Sequence, residues 1–329
     1  MRKFGKLVGR AFVVLIVIAT GMWWFGPYED NDLSSYFETR KFGEGVGVYF
    51  ESIESRYKDI TPGTEKRVIW AGPRETRTPY SVVYLHGYSA TSEEIRPVPD
   101  LIAKALGANL FYTRLRGHGR DGKALADATV SEWMYDTAEA LATGRAVGDK
   151  VIVLSTSTGG TMAAAAAMDA KMSKDIAAMI FVSPNFGIND PAAPLLTWPA
   201  ARYWVPLVVG QETSSEPVNE QHEMFWTNSY PTKGLTTLAA LIQAVVDLDF
   251  TKAEIPALFW LSDDDQVVRP DISRDIAKEW GGPAAVHAVT MGPDDDKGAH
   301  VIAGVIRSPG QTDAAVVGML DWLNDKGIK

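Results

Sequence analysis

Short, continuous apolar runs alternate with helical patterns along most of this chain, and that alternation leaves few possible folds. The runs do not alternate between apolar and polar residues, as a strand with one solvent-exposed face does, so they predict strands buried on both faces. They are Asn109–Thr113, Lys150–Ser155, Ala178–Ser183, Ala257–Leu261 and Ala285–Met291. Strands and helices in this order indicate an α/β fold, with a mostly parallel sheet covered by helices on both faces.

Helical patterns fill the intervals between these runs. One helix has a capping box at its start, because Thr129 precedes Glu132 by three residues. The predicted helices are Val98–Leu106, Ser131–Gly144, Thr161–Lys171, Leu235–Leu248, Asp271–Trp280 and Asp313–Leu323. Two further strands, Lys66–Ala71 and Ser81–Leu85, flank a turn-rich segment, and this arrangement predicts an antiparallel hairpin.

The chain divides into three regions. Residues 1–28 predict a membrane anchor or signal peptide, and residues 29–65 predict a linker with one amphipathic helix. Residues 66–329 form the α/β domain, with a cap insertion at about 185–250 that is rich in proline and aromatic residues. An insertion that follows the carboxyl end of a strand is well placed to cover a ligand crevice. A structural excursion with its own small core is the alternative.

The amino terminus has the charge pattern of a membrane segment. Four basic residues precede an uncharged run from Ala11 to Tyr28, which would span about 27 Å as a helix. The basic side should stay in the cytoplasm, so we expect a single-pass membrane protein with an extracytoplasmic domain, periplasmic if the chain is bacterial. The alternative is a signal peptide cut near Ala19-Thr20-Gly21, which would give a secreted protein.

Composition removes several function classes. The chain has 41 acidic and 32 basic residues, a formal net charge of −9, which argues against nucleic-acid binding. It contains no cysteine, so disulfides, thiolate zinc sites and cysteine nucleophiles are excluded. No nucleotide-binding fingerprint occurs, so no organic cofactor is expected. The acidic run Asp294–Asp296 has no second histidine at ligand spacing, so no metal site is predicted.

A small-residue turn follows the second of these apolar runs, in the segment Val151–Gly160. The pattern Ser155-Thr-Ser157-Thr-Gly159 matches the nucleophile elbow G-x-S-x-G, with serine in place of the first glycine. Such a turn lifts the central hydroxyl above the sheet edge. Ser157 is therefore the candidate nucleophile, and Ser155 is its rival.

Three more segments carry a family resemblance. A strand ends in His86-Gly87-Tyr88-Ser89, the next ends in Arg116-Gly-His-Gly119, Asp265 follows a later strand, and His300 follows the last one. Together with the elbow, these motifs resemble the α/β-hydrolase superfamily over about residues 65–325. The similarity is closest to the branch of monoacylglycerol lipases and carboxylesterases. The order Ser, Asp, His is the order of that fold.

The resemblance implies a role for each site residue. Ser157 would be the nucleophile, His300 its general base and Asp265 the acid that orients the imidazole, with Asp264 as the alternative acid. The backbone N–H groups of Tyr88 and Thr158 would form the oxyanion hole.

The remaining four histidines have other expected places. His86 and His118 are expected to bond to the backbone and His287 to lie in the core, whereas His222 fits either the surface or a pocket wall.

The predicted function is that of a membrane-anchored serine hydrolase that cleaves a lipid or small-molecule carboxylic ester through an acyl-enzyme. An amidase, an aminopeptidase or an acyltransferase would use the same triad. A catalytically inactive hydrolase fold that serves as a binding module is the alternative from another class.

Overall fold

The computed structural model describes residues 2–329, and its centre is a sheet of mostly parallel strands. The strands are β1 (Arg67–Ile69), β2 (Thr78–Leu85), β3 (Asn109–Tyr112), β4 (Gly148–Thr156), β5 (Ile176–Val182), β6 (Glu212–Ser214), β7 (Ser229–Pro231), β8 (Ala257–Leu261) and β9 (Ala284–Ala288). Seven of them form the main sheet in the order β1-β3-β2-β4-β5-β8-β9, and β6 pairs with β7. The predicted α/β architecture is confirmed.

The predicted hairpin between the first two strands is wrong. β1 pairs antiparallel with β3, through Arg67 opposite Tyr112. β2 has no free edge for β1, because it lies between β3 and β4 and is parallel to both. The turn-rich segment therefore carries the chain across β3 into the middle of the sheet.

Helices cover both faces of the sheet. In chain order, the helices of residues 2–329 are α1 (Arg2–Phe25), α2 (Val46–Glu54), α3 (Val98–Ala105), α4 (Gly122–Asp127), α5 (Val130–Val147), α6 (Thr158–Ala167), α7 (Ala201–Val209), α8 (Glu220–Phe225), α9 (Gly234–Val246), α10 (Pro270–Glu279) and α11 (Thr312–Asp325). Short 3-10 helices lie at Thr39–Phe42, Ala193–Thr197, Phe250–Lys252 and Pro309–Gln311.

Alternate side chains of β4 show how the two cores form. Val151 and Val153 pack in one core with α5, α6 and α9, whereas Ile152 and Leu154 pack in the other with α3 and α11. Successive side chains of a strand point to opposite faces, so a strand that is apolar throughout contributes to both cores. The capping box of Thr129 and Glu132 is present at the start of α5, as predicted.

β9 departs from the prediction of a buried strand. Four of its five residues are exposed, because it lies at the edge of the sheet with β8 as its strand neighbour. His287, expected in the core, is exposed and stacks on Trp260 with ring centroids 3.8 Å apart.

The amino-terminal region has two parts. The apolar side chains along α1 are exposed, and Lys6–Phe25 is long and apolar enough to cross a membrane. Residues 29–65, which the sequence predicts as a linker with one amphipathic helix, contain the helix α2 and contribute Phe37, Phe42 and Phe50 to the core.

Candidate active site

Ser157 lies at the sharp turn between β4 and α6. Its backbone angles are φ 51° and ψ −117°, a strained conformation for a residue with a side chain. The turn also needs glycine nearby, because a Cβ at Gly159 would overlap the carbonyl oxygen of Leu85. The rival Ser155 is fully buried within β4, and its hydroxyl donates to the carbonyl oxygen of Ile180 at 3.1 Å. The geometry therefore favours Ser157 as the hydroxyl that is presented above the sheet.

His300 joins Ser157 to Asp265. Its Nε2 lies 3.0 Å from Ser157 Oγ, and its Nδ1 lies 2.8 Å from Asp265 Oδ2. Burial of the imidazole lowers the pKa of His300, but the neighbouring Asp265 carboxylate outweighs this effect, so that the pKa is raised. The raised pKa favours the imidazolium that forms when the ring takes a proton.

The position of Asp265 separates it from its two acidic neighbours. Its Oδ1 accepts hydrogen bonds from the backbone N–H groups of Val267 (2.8 Å) and Val268 (2.9 Å), which leaves Oδ2 for His300. Asp263 instead forms an ion pair with Arg274, and Asp264 is exposed. Of the two alternatives in the sequence, Asp265 is the one in contact with the histidine.

Asp296 supports the loop that carries His300, and the sequence alone did not reveal this. Its Oδ2 accepts from the backbone N–H of His300 (3.1 Å) and of Val301 (3.0 Å), while its Oδ1 accepts from Arg307. Burial raises the pKa of Asp296, but the hydrogen bond from Arg307 and the backbone donors outweigh it and lower the pKa. The carboxylate is therefore ionised and fixes the loop.

A second buried carboxylate, Glu94, holds the loop after β2. It accepts hydrogen bonds from the backbone N–H of Gly87 (2.8 Å) and the hydroxyl of Tyr84 (2.9 Å). Within residues 2–329, the backbone N–H groups of Tyr88 and Thr158 donate to no protein acceptor. Each follows a residue whose own backbone N–H is hydrogen-bonded, Gly87 to Glu94 and Ser157 to the carbonyl oxygen of Val182. The two predicted oxyanion donors therefore have fixed neighbours and no protein acceptor of their own.

Two histidines of the loop motifs bond to the backbone, as expected. His86 Nδ1 lies 2.9 Å from the carbonyl oxygen of Gly87, and His118 Nδ1 lies 3.2 Å from that of Arg116. Burial lowers the pKa of His86 to about 4, so the ring is neutral at pH 7.

His222 links the insertion (residues 185–250) to the loop of His300. Arg307 Nη1 lies 3.1 Å from His222 Nε2, and the same arginine binds Asp296. The backbone N–H of Val218 donates to His222 Nδ1 at 3.1 Å. Burial and the charge of Arg307 lower the pKa of His222 to about 4, so the ring is neutral at pH 7.

The insertion also contacts the loop after β2. The ring of Tyr230 lies edge-on to that of Tyr88, with ring centroids 5.3 Å apart. The backbone N–H of Thr227 donates to the carbonyl oxygen of Ser89 at 2.7 Å. Ser157 is only 5% exposed and His300 only 8% exposed. Both side chains are thus largely screened from water.

A strained serine elbow, a histidine and an aspartate at the edge of a parallel sheet define the class of serine hydrolases with the α/β-hydrolase fold. The chain belongs to the serine aminopeptidase S33 family (Hydrolase_4), whose profile matches residues 77–291. The resemblance drawn from the sequence motifs is confirmed.

Known relatives extend the comparison. A thermostable monoacylglycerol lipase of Bacillus sp. (strain H-257) is 26% identical over 193 residues, which are 58% of this chain and 73% of the relative. A structure of the metagenome-derived lipolytic enzymes LipS and LipT matches with a TM-score of 0.65 at 18% identity, over 81% of this chain and 99% of that one. A soluble variant of monoglyceride lipase from Saccharomyces cerevisiae matches with a TM-score of 0.58 at 13% identity, over 82% and 97%. At these identities the two structures establish the fold.

Proposed function

We propose that this chain is a membrane-anchored serine hydrolase that cleaves carboxylic esters through an acyl-enzyme on Ser157. The observation that carries the proposal is the continuous contact from Ser157 Oγ through His300 to Asp265, at 3.0 and 2.8 Å. A serine hydroxyl is a weak nucleophile until a neighbouring base takes its proton, and this contact supplies the base.

The proposed reaction has two halves. His300 Nε2 takes the hydroxyl proton as Ser157 Oγ attacks the ester carbonyl, and Asp265 stabilises the imidazolium. The N–H groups of Tyr88 and Thr158 stabilise the oxyanion, and each such donor is worth about 3 kcal/mol. The intermediate then collapses, and the leaving alcohol takes the proton from His300. A water molecule activated by His300 hydrolyses the acyl-enzyme in the same way.

Lipid esters are the substrate class that the relatives favour. Both the Bacillus relative and the yeast structural neighbour are lipases of monoacylglycerols. The family description, serine aminopeptidase, keeps an amide or peptide substrate as the second candidate.

The amino-terminal helix supports the proposed anchor. Lys6–Phe25 comprises 20 residues, and a helix of this length spans about 30 Å, the thickness of a bilayer's hydrocarbon core. The basic residues before it favour a cytoplasmic amino terminus and an extracytoplasmic catalytic domain. Protease protection of the carboxy-terminal domain in spheroplasts would contradict this orientation, and amino-terminal sequencing would reveal a cleaved signal peptide.

A fluorophosphonate probe tests the nucleophile. We expect the wild-type chain to be labelled, Ser157→Ala to remain unlabelled and His300→Ala to lose most labelling. Ser155→Ala is the matched control, because this buried serine is two residues away, and it should label as the wild type does. Full labelling of Ser157→Ala would contradict the assignment. An unlabelled wild type would favour the inactive binding module.

Ester and amide substrates separate the remaining candidates. We expect p-nitrophenyl esters to be turned over faster than the matching p-nitroanilides. Faster turnover of the anilides would favour an amidase or aminopeptidase activity.

A further inference from the structure

The carboxyl end of α7 is an apolar tip that the rest of the chain leaves uncovered. Leu207 is 78% exposed, Val208 72% and Val209 67%, and Tyr203 one turn earlier is 67% exposed. Consecutive helical residues point about 100° apart, so the joint exposure of Leu207–Val209 means that the tip protrudes. Contiguous exposed apolar surface of this kind marks a site of interaction.

The start of α7 is attached to the end of the proposed anchor. The backbone N–H of Ala200 donates to the carbonyl oxygen of Pro27 at 2.7 Å, and the ring of Trp23 lies edge-on to Trp198 with centroids 6.0 Å apart. Arg202 donates two hydrogen bonds to the carboxylate of Glu29, at 2.6 and 2.7 Å. These contacts fix α7 beside the point where the apolar segment Lys6–Phe25 ends.

We propose that the α7 tip (Tyr203 and Leu207–Val209) inserts into the surface of the same bilayer that α1 crosses. The proposal rests on the proposed anchoring of the chain. α7 has nine residues and is about 13 Å long, so its tip lies within about that distance of the helix start, which contacts the end of the anchor. Docking would hold the insertion between the lipid surface and the site residues that it contacts.

The chemistry of α7 favours a neutral lipid surface as the partner. The helix has no acidic residue, and its single basic residue, Arg202, is already paired with Glu29. With a net charge of −9 the chain gains no attraction to anionic lipids, so burial of apolar side chains would drive the docking.

A reporter at the tip tests the proposal. Because the chain contains no cysteine, Val208→Cys gives a single attachment point for the environment-sensitive fluorophore NBD. The full-length variant is reconstituted into phosphatidylcholine vesicles with and without doxyl-labelled lipid. We expect a blue-shifted emission that the doxyl lipid quenches. The matched control is Val317→Cys on α11, which is 58% exposed and should be neither shifted nor quenched.

Three outcomes would overturn the docking proposal. An unshifted emission at position 208 means that the tip remains in water. A blue shift without quenching means that protein covers the tip, as in contact between two copies of the chain. Equal quenching at positions 208 and 317 means that the domain has no preferred orientation on the membrane.

An activity measurement separates docking from the proposed function. The double variant Leu207→Asp with Val208→Asp should lose about tenfold or more of its turnover of a long-chain ester dissolved in the vesicles. It should keep wild-type turnover of water-soluble p-nitrophenyl acetate. Equal turnover of the vesicle-bound ester by variant and wild type, or equal losses on both substrates, would contradict docking. A wild type that hydrolyses neither ester contradicts the proposed function, and the quenching result still decides docking.

Discussion

Replacement of Asp265 by asparagine should disable the site while leaving its shape intact. Asp265 Oδ1 accepts two backbone hydrogen bonds, at 2.8 and 2.9 Å, so an asparagine keeps its carbonyl oxygen there and turns its NH₂ group toward His300 Nδ1. An amide NH₂ can only donate, so Nδ1 must become the acceptor. The imidazole proton then resides on Nε2, which can no longer accept the hydroxyl proton of Ser157.

The size of the effect follows from the lost base. The wrong tautomer in a serine triad lowers kcat by about 10⁴-fold. At about 1.36 kcal/mol for each factor of ten, this loss raises the barrier by about 5.4 kcal/mol. The free energy of unfolding should change much less, because the substitution keeps the side-chain volume and the two backbone hydrogen bonds.

Steady-state hydrolysis of a soluble p-nitrophenyl ester, with thermal unfolding measured in parallel, checks this prediction. Asp264→Asn is the matched control, because its side chain is exposed beside Asp265, and it should behave as the wild type does. A folded Asp265→Asn variant that retains activity within about tenfold of the wild type would refute the reasoning.

Three further outcomes are expected. Glu94→Ala leaves two buried donors, the Gly87 N–H and the Tyr84 hydroxyl, without their acceptor. Denaturant unfolding should therefore show a free energy of unfolding that is lower by about 2–6 kcal/mol, and Glu94→Gln should lower it less. Gly159→Ala should prevent soluble folding in an expression trial, since its Cβ overlaps the Leu85 carbonyl oxygen. The kcat/KM of the wild type should rise with pH through a midpoint above 6.5, because His300 must be neutral to act as the base and its pKa is raised from that value. A midpoint below 6.5 would contradict this prediction.

Local signals in the sequence were sufficient for much of the fold. Continuous apolar runs identified β3, β4, β5 and β8, and the capping box placed the start of α5, because these features depend on near neighbours in the chain. The pairing of β1 with β3 depends on which strands already occupy the edges of β2, and no local pattern encodes that. The exposure of β9 likewise depends on its place at the edge of the sheet.

The same distinction applies to the site. Ser157, Asp265 and His300 were named from motifs at strand ends, and the structure brings the three side chains into contact. The sequence does not predict the roles of the two supporting carboxylates, Glu94 and Asp296. Glu94 lies in a loop with no motif of its own, and the acidic run Asp294–Asp296 suggests only a metal site, which its spacing does not support. Their roles appear only when distant backbone N–H groups are seen to converge on them.

Direct capture of the acyl-enzyme is the sharpest test of the whole account. Rapid acid quenching during turnover of a p-nitrophenyl ester, followed by peptide mass spectrometry, should find the acyl group on the peptide that contains Ser157, bound through its hydroxyl oxygen. An adduct on any other residue, or turnover without an adduct under conditions where deacylation limits the rate, would contradict nucleophilic catalysis at this turn.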